Sequence, residues 1–353
     1  MPRRRPTLWG VAASVLCLGV TALAIPPAGA AGAAYVALGD SYSSGVGTRT
    51  YLSDGTTCQR SVYAYPSLIA AARAYTLNFR ACSGAKITDV TSTQLSALSA
   101  STAYVTISVG GNDAGFTGVL TTCAQPAWLS NCNGAVDKAQ AYIANTLPAA
   151  IKKLYTSIRA KAPNAKVVVA GYPRIFNGED CNAFTWFSPA EETRLNQTAD
   201  RINAKLSAAA STAGFGWANP TTAFVGHAVC DSPEWLNGLS NPISESYHPN
   251  RAGQASGYFP LVSPKLVGST VKATTSTLAK AKKSAPRLAA KQRTYATADA
   301  RIAPETFVAP DLHSARALKA AKRAGVDVND RHSVDAADAK ASRAQARAWA
   351  TRR

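Results

Sequence analysis

The chain has little of what builds a metal centre. Among 353 residues there are four histidines and seven cysteines, no two cysteines stand in a C-x-x-C spacing, and no histidine is placed to complete a finger-like set. Neither a metal nor another cofactor is therefore expected. Long apolar runs are also missing, apart from Leu8 to Ala24, which is short for a bilayer span. Residues 265–353 have few aromatics and no sustained apolar stripe. The first lack argues against base stacking on nucleic acid, and the second against a packed helix.

What the N-terminus does contain is ordered. Arg3, Arg4 and Arg5 precede the apolar run, and Ala28-Gly29-Ala30 follows Pro26 and Pro27. This is the layout of a secretory signal peptide over residues 1–30, which predicts a secreted, extracellular protein. Cys17 would leave with it. The six cysteines that remain, Cys58, Cys82, Cys123, Cys132, Cys181 and Cys230, suggest disulfides in an exported chain. Six cysteines allow about 15 connectivities. Their order favours three local pairs, 58 with 82, 123 with 132 and 181 with 230, which ask the least rearrangement of a layered fold.

The formal net charge of +18 is uneven. Residues 265–353 hold 19 Lys and Arg against 7 Asp and Glu, a net +12, whereas residues 31–264 hold 16 basic and 13 acidic residues. The Ala, Lys, Arg, Ser and Thr composition past Pro264 predicts a disordered basic tail over 265–353. Its charge suits an anionic membrane or cell-wall surface; a dispensable extension is the alternative.

Between residues 31 and 264 short β-rich runs alternate with helix-compatible stretches, the pattern of one α/β domain with a parallel sheet. Strands are expected at 34–38, 76–80, 104–109, 166–171 and 215–218, rich enough in Val, Ile, Tyr and Phe to be buried on both faces. Helices are expected at 62–74, 87–98, 136–160 and 189–210, the last opening on Ser188-Pro189 with Glu191 and Glu192 in its first turn. A three-layer α/β/α sandwich follows. Two insertions, 115–133 and 174–188, interrupt the rhythm. Their Trp128, Phe184, Trp186 and Phe187 either cover the core edge or face a substrate.

Three segments converge at one sheet edge if the strands are parallel. Gly39-Asp40-Ser41-Tyr42-Ser43-Ser44-Gly45 follows the first strand, Cys82-Ser83-Gly84-Ala85 the second and Gly110-Gly111-Asn112-Asp113 the third. Ligands bind at that edge in open α/β folds. A serine at a helix N-terminus is well placed as a nucleophile, and the Ser41 and Gly84 N–H groups with the Asn112 amide suit one oxyanion. Of the histidines, His313 and His332 lie in the basic tail and His227 precedes Cys230 without a helix start, whereas His248 is followed by Pro249, a good first helical residue. An imidazole there is the expected base for Ser41. Asp40 and Asp113 are expected to hold backbone N–H groups.

Taken together, GDSYSSG, the glycine of CSGA, GGND and YHPN resemble the four blocks of the SGNH, or GDSL, hydrolases, most of all secreted actinobacterial lipases, esterases and phospholipases A. The resemblance covers about Tyr35 to Pro260. It implies a flavodoxin-like sheet, ester hydrolysis through an acyl-enzyme, and Ser41, Gly84, Asn112 and His248 as signature positions. One position departs: the usual D-x-x-H stands here as Glu245-Ser246-Tyr247-His248. Either Glu245 or, as in some relatives, a main-chain carbonyl, here that of Ser246, would orient the imidazole.

The function expected is a secreted serine ester hydrolase, a lipase or esterase and possible phospholipase A, acting as a monomer on lipid or other acyl esters. A short-chain carbohydrate acetylesterase is the alternative among enzymes. A non-catalytic surface-binding protein is the alternative outside them, and the joint presence of Ser41, Gly84, Asn112 and His248 speaks against it. The apolar loops tilt the expectation toward longer acyl chains, since each buried methylene is worth about 0.8 kcal/mol.

Overall fold

Strand by strand, the branched and aromatic runs do form one parallel sheet. The computed structural model describes residues 1–2 and 32–351; most of the expected signal peptide lies outside them. In chain order the elements of the first half are β1 (Ala34–Gly39), α1 (Ser41–Ser44), α2 (Tyr65–Arg73), β2 (Thr76–Phe79), α3 (Ile87–Asp89), β3 (Tyr104–Ser108), α4 (Phe116–Cys123), α5 (Cys132–Asn145), α6 (Leu147–Lys161) and β4 (Lys166–Ala170). There follow α7 (Pro189–Thr212), β5 (Gly216–Ala218), α8 (Phe259–Val267), α9 (Thr275–Arg293), α10 (Ala296–Asp299), α11 (Ala315–Ala324) and α12 (Arg331–Ala350).

The sheet order is β2-β1-β3-β4-β5, every pairing parallel. This is the flavodoxin-like order, with its switch point between β1 and β3. Val36, Leu38, Val105, Ile107 and Val167 to Val169 are buried because helices cover both faces. On one side lie α2, α8 and α9, on the other α6 and α7 with α5 against α7. The three-layer sandwich is as expected.

The helices depart from expectation where proline and glycine act. A single helix over 136–160 is replaced by α5 and α6, broken at Thr146, because Pro148 stands in the first turn of α6 and has no N–H to continue the ladder. The stretch 87–98 is helical but passes from α3 through a π-turn at Val90–Gln94 to a 3₁₀ turn at Leu95–Ala97. The 115–133 insertion contains a helix of its own, α4, entered through Gly115 in a left-handed conformation. All three local cysteine pairs are disulfides: 58 with 82, 123 with 132 and 181 with 230.

The largest correction concerns residues 265–353, expected to be disordered and separate from the domain. Gly32 onward is one unit with no boundary at 264, and α8 runs across that position. Helix α9 lies on α2 and β2, burying Thr277, Ala281, Leu288, Ala289 and Gln292. Those positions recur at helical spacing, but alanine carries so little apolar area that the stripe does not register as hydrophobic. Asp299 is fully buried between Arg60, at 2.7 Å, and Arg80, at 2.6 Å. The three aromatics of the segment all dock on the rest of the chain. Tyr295 lies under Arg80, Phe307 packs edge-on to Tyr247, and Trp349 lies under Arg194.

Candidate active site

Three loops at the C-terminal edge of β1, β2 and β3 build the site. At the end of β1, Gly39 has φ +120°, and a Cβ there would stand 2.2 Å from the Ser108 carbonyl oxygen, so only glycine lets β1 and β3 approach this closely. The Gln94 side chain clamps it, accepting from Gly39 N at 2.7 Å and donating to Gly39 O at 2.9 Å. The next residue, Asp40, caps α1 by accepting from Tyr42 N at 3.1 Å. It also accepts from Ser108 Oγ at 2.6 Å and Tyr172 Oη at 2.5 Å. Burial pushes the Asp40 carboxyl up to about 6, against the pull of those three donors. Its expected structural role fits this arrangement, and Asp113 likewise accepts from Ile87 N at 3.1 Å.

Ser41 is thereby the first residue of α1, buried to 5 % exposure. Its Oγ lies 2.9 Å from His248 Nε2. The other ring nitrogen, Nδ1, lies 2.9 Å from the Ser246 carbonyl oxygen. A carbonyl can only accept, so Nδ1 carries the proton and Nε2 is left to accept from the serine hydroxyl. Although His248 keeps part of its surface exposed, burial of its ring pushes the imidazole down to about 4, only partly offset by the Ser246 bond. The ring is therefore neutral, and able to take a proton, over the whole neutral range.

Of the two groups expected to orient His248, the structure brings up the Ser246 carbonyl and not Glu245. The buried Glu245 carboxylate points to Tyr51 Oη, at 2.5 Å, and Arg49 Nε, at 2.9 Å. A glutamate adjacent to Ser246 in the chain but with its carboxylate turned the other way holds the loop rather than the imidazole. Tyr247, between Ser246 and His248, has φ +60°, a conformation that costs a non-glycine residue roughly 1–3 kcal/mol. Its surroundings hold it there. Its carbonyl accepts from Tyr42 Oη at 3.0 Å, its N–H bonds Asn237 O at 2.9 Å, and its ring packs on Phe176, Phe187 and Phe307. The imidazole itself leans on the Tyr42 ring, 5.4 Å away. Nor does Pro249 open a helix as expected: Asn250 does, its Oδ1 accepting from Ala252 N and Gly253 N, while Pro249 pairs with Leu236.

Asn112 lines the same cavity as Ser41 and His248, its Nδ2 donating to Ala85 O at 3.1 Å. Gly84 is next to Ala85 with φ +80° but is not among the cavity-lining residues. The cavity is small, about 50 Å³, and mostly apolar, walled by Phe116, Leu120, Ile143, Ile175, Ile202 and Phe307. Trp128, Phe184, Trp186 and Phe187, the loop aromatics weighed for substrate contact, do not line it. Phe187 instead buttresses Tyr247, the Trp186 indole N–H donates to Asp335 at 2.9 Å, and Phe184 is exposed. Among the described residues no helix is long and apolar enough to cross a membrane, and no group of acidic, His and Cys residues could hold a metal ion.

Sequence reasoning missed Tyr172 and Phe307. Tyr172 donates to Asp40 and accepts from Gly111 N at 3.2 Å, tying the loops after β1 and β3 together. Its position just past β4, at the same sheet edge as the loops after β1, β2 and β3, was the available signal. Phe307 was visible as the lone aromatic between Pro304 and Pro310 in an alanine-rich stretch.

A serine and an imidazole in hydrogen-bond contact at the switch point of a flavodoxin-like sheet have the arrangement that nucleophilic ester hydrolysis requires. Residues 37–255 match the GDSL-like lipase/acylhydrolase family, and the chain belongs to it; it is a carboxylic ester hydrolase acting on acyl esters. Lipase 1 of Streptomyces coelicolor is 44% identical over 254 residues, which span 71% of this chain and 92% of that protein. The crystal structure of an extracellular lipase from Streptomyces rimosus superposes with a TM-score of 0.61 at 43% identity, over 64% of this chain and 97% of that one. A phospholipase A1 from Streptomyces albidoflavus NA297 gives 0.62 at 42%, over 65% and 98%.

Proposed function

We propose that the chain is an exported, monomeric serine lipase or esterase that carries the acyl group on Ser41. The observation that carries this is the pair of 2.9 Å contacts of His248, one to Ser41 Oγ and one to the Ser246 carbonyl. Ser41 Oγ attacks the ester carbonyl while His248 Nε2 takes its proton. The negative charge on the carbonyl oxygen is met by Ser41 N–H, Gly84 N–H and the Asn112 amide. His248 then gives the proton to the departing alcohol, and water, activated by the same nitrogen, releases the acid. Glu245 has no part in this sequence; the Ser246 carbonyl holds the imidazole in its working tautomer, as a carboxylate does in a triad.

The apolar walls of the cavity favour the acyl chain of a lipid, and the Streptomyces relatives with lipase and phospholipase A1 names favour the same substrates. The size of the cavity favours the other reading, a short acyl group such as acetyl on a carbohydrate. Initial rates on an emulsified long-chain ester and on an acetylated sugar, with Ser41→Ala alongside, separate them. A fast long-chain rate abolished by the substitution supports the lipase. Acetyl release alone would favour the carbohydrate esterase, and a rate that survives Ser41→Ala would contradict the mechanism.

Export rests on the signal-peptide layout of residues 1–30 and on the extracellular relative. The C-terminal segment adds attraction to anionic lipid or cell-wall polymer: Lys319, Lys322 and Arg323 are exposed on α11. Each such charge near a membrane surface contributes on the order of 1 kcal/mol at modest salt. Changing all three to Gln should weaken sedimentation with phosphatidylserine vesicles at low salt by at least tenfold. Unchanged binding would remove the segment from surface attachment.

A further inference from the structure

Residues 300–310 cross the site itself. Before them, Asp299 is rooted between Arg60 and Arg80. Along them, the Ala303 carbonyl and Pro304 cover Gly84 so closely that a Cβ there would stand 2.3 Å from the Ala303 oxygen. Glu305 pairs with Lys86 at 2.7 Å, and Val308 N donates to Thr121 Oγ1 at 3.1 Å. Between those two ties, Phe307 turns inward to 3 % exposure, lines the cavity with Ser41 and His248, and meets the Tyr247 ring edge-on at 4.9 Å.

We propose that this segment is a strap that closes the acyl-binding site, with Phe307 as its plug, and that it lifts before a long acyl chain can reach Ser41. The inference rests on Ser41 being the nucleophile, as argued above. Three observations carry it. The space left beside Ser41 is about 50 Å³, against the roughly 300–1,000 Å³ of sites that enclose a drug-sized ligand. The plug comes from outside the matched family region, 37–255, and the two Streptomyces structures are nearly fully matched by about two thirds of this chain. The strap also has no helix or strand between α10 and α11. Its root is the doubly paired, buried Asp299 carboxylate and Ile302, buried against Cys58, Cys82 and Ala85; past that root it is held by one half-exposed ion pair, one hydrogen bond, the Phe307 ring and the partly buried Ala309, the features of a segment that opens locally.

Lifting residues 303–310 about Ile302 would uncover Gly84 and withdraw Phe307 in a single movement. It would thus open the loop that carries Gly84 and vacate the acyl channel together. An apolar lipid surface offers the Phe307 ring a second place to be buried, so an aggregated substrate would favour the open state. A soluble substrate would not.

The test uses the full chain and two phosphonofluoridates, one with a methyl and one with a dodecyl group on phosphorus. In each, Ser41 Oγ forms a bond to phosphorus, fluoride leaves, and His248 takes the hydroxyl proton. The variants are Phe307→Ala, which removes the plug, and Glu305→Lys, which sets a cation against Lys86 and leaves the plug in place. Glu305→Lys alters a partly exposed pair and keeps the test open if Phe307→Ala folds poorly. Both variants should be labelled by the dodecyl probe at least tenfold faster than the natural chain, and Glu305→Lys should show less than a threefold change with the methyl probe. Dodecyl labelling of the natural chain within twofold of Glu305→Lys would overturn the strap, as would acceleration by Phe307→Ala alone, which would make the ring an ordinary pocket wall. Absence of label on Ser41 in every form would overturn the nucleophile assignment and the strap with it, a result distinct from labelling at unchanged rates.

Discussion

At the scale of single residues, the site is arranged around where one imidazole proton sits. His248 has a backbone carbonyl rather than a carboxylate behind it, so its orientation does not depend on an ionised partner. Two consequences follow for experiment. Glu245→Gln should lower kcat by less than tenfold, because its carboxylate serves Tyr51 and Arg49; a loss near the roughly 10⁴-fold seen when a triad acid is replaced would contradict this. The pH profile gives the second. With the imidazole pushed down to about 4, the base is neutral above that value, and it protonates only as pH falls through it. The acid limb of kcat/KM should therefore lie clearly below the ordinary 6.5 of a free histidine. A limb at 6.5 or above would mean the ring is as well hydrated as one in solution. Stability carries the same sign: the unfolded chain takes up the His248 proton near 6.5 and the folded one only near 4, so this residue's contribution is intact above 6.5 and lost as pH falls between the two.

At the scale of elements, sequence patterns identified what depended on local chemistry. The five strands, the disposition of Ser41, Asn112 and His248, and the helix opening on Ser188-Pro189 were legible because branched strands, strand-end glycines and a capping box are written within a few residues of each other. The division of 136–160 into two helices was legible too, through Pro148, but outweighed by the apolar period on either side of it. What did not show was α9. Its buried face is built from Ala281, Leu288 and Ala289 with the polar Thr277 and Gln292, and a small-residue face earns its place by close approach to α2 and β2 rather than by its own hydrophobicity. Nor did sequence reveal that Asp299 would meet Arg60 and Arg80, over 200 positions away. Those two arginines are wholly buried; with the carboxylate gone Arg60 would keep Asp54, at 2.8 Å, but Arg80 would lose the carboxylate it pairs with. Asp299→Asn should accordingly destabilise the protein by about 3–5 kcal/mol, read as a lowered melting temperature. A shift close to zero would show that residues 275–299 are not part of the folded unit.

At the scale of the whole molecule, a sheet shared with the Streptomyces lipases is wrapped by a C-terminal segment that lies beyond the family match. The wrapping has an internal logic. Its first part, α9, completes a layer of the sandwich; its middle crosses the edge where Ser41, Gly84 and Asn112 stand; its last part returns to the far side, where Asp335 receives the Trp186 indole and Asp338 accepts from Ala127 N at 2.7 Å. The segment's basic surplus is thus carried by helices fixed to the enzyme, and any anionic surface it binds would meet the site in a set orientation rather than through a loose tether.

The central claim is that Ser41 carries the acyl group, and it is tested most directly by trapping that intermediate. The protein is mixed with a p-nitrophenyl ester of a long-chain acid, quenched in acid within milliseconds, and digested for mass analysis. The account predicts one acyl adduct on the peptide bearing Ser41, absent from Ser41→Ala and strongly diminished in His248→Ala. An adduct on another residue, or p-nitrophenol release undiminished in Ser41→Ala, would contradict it.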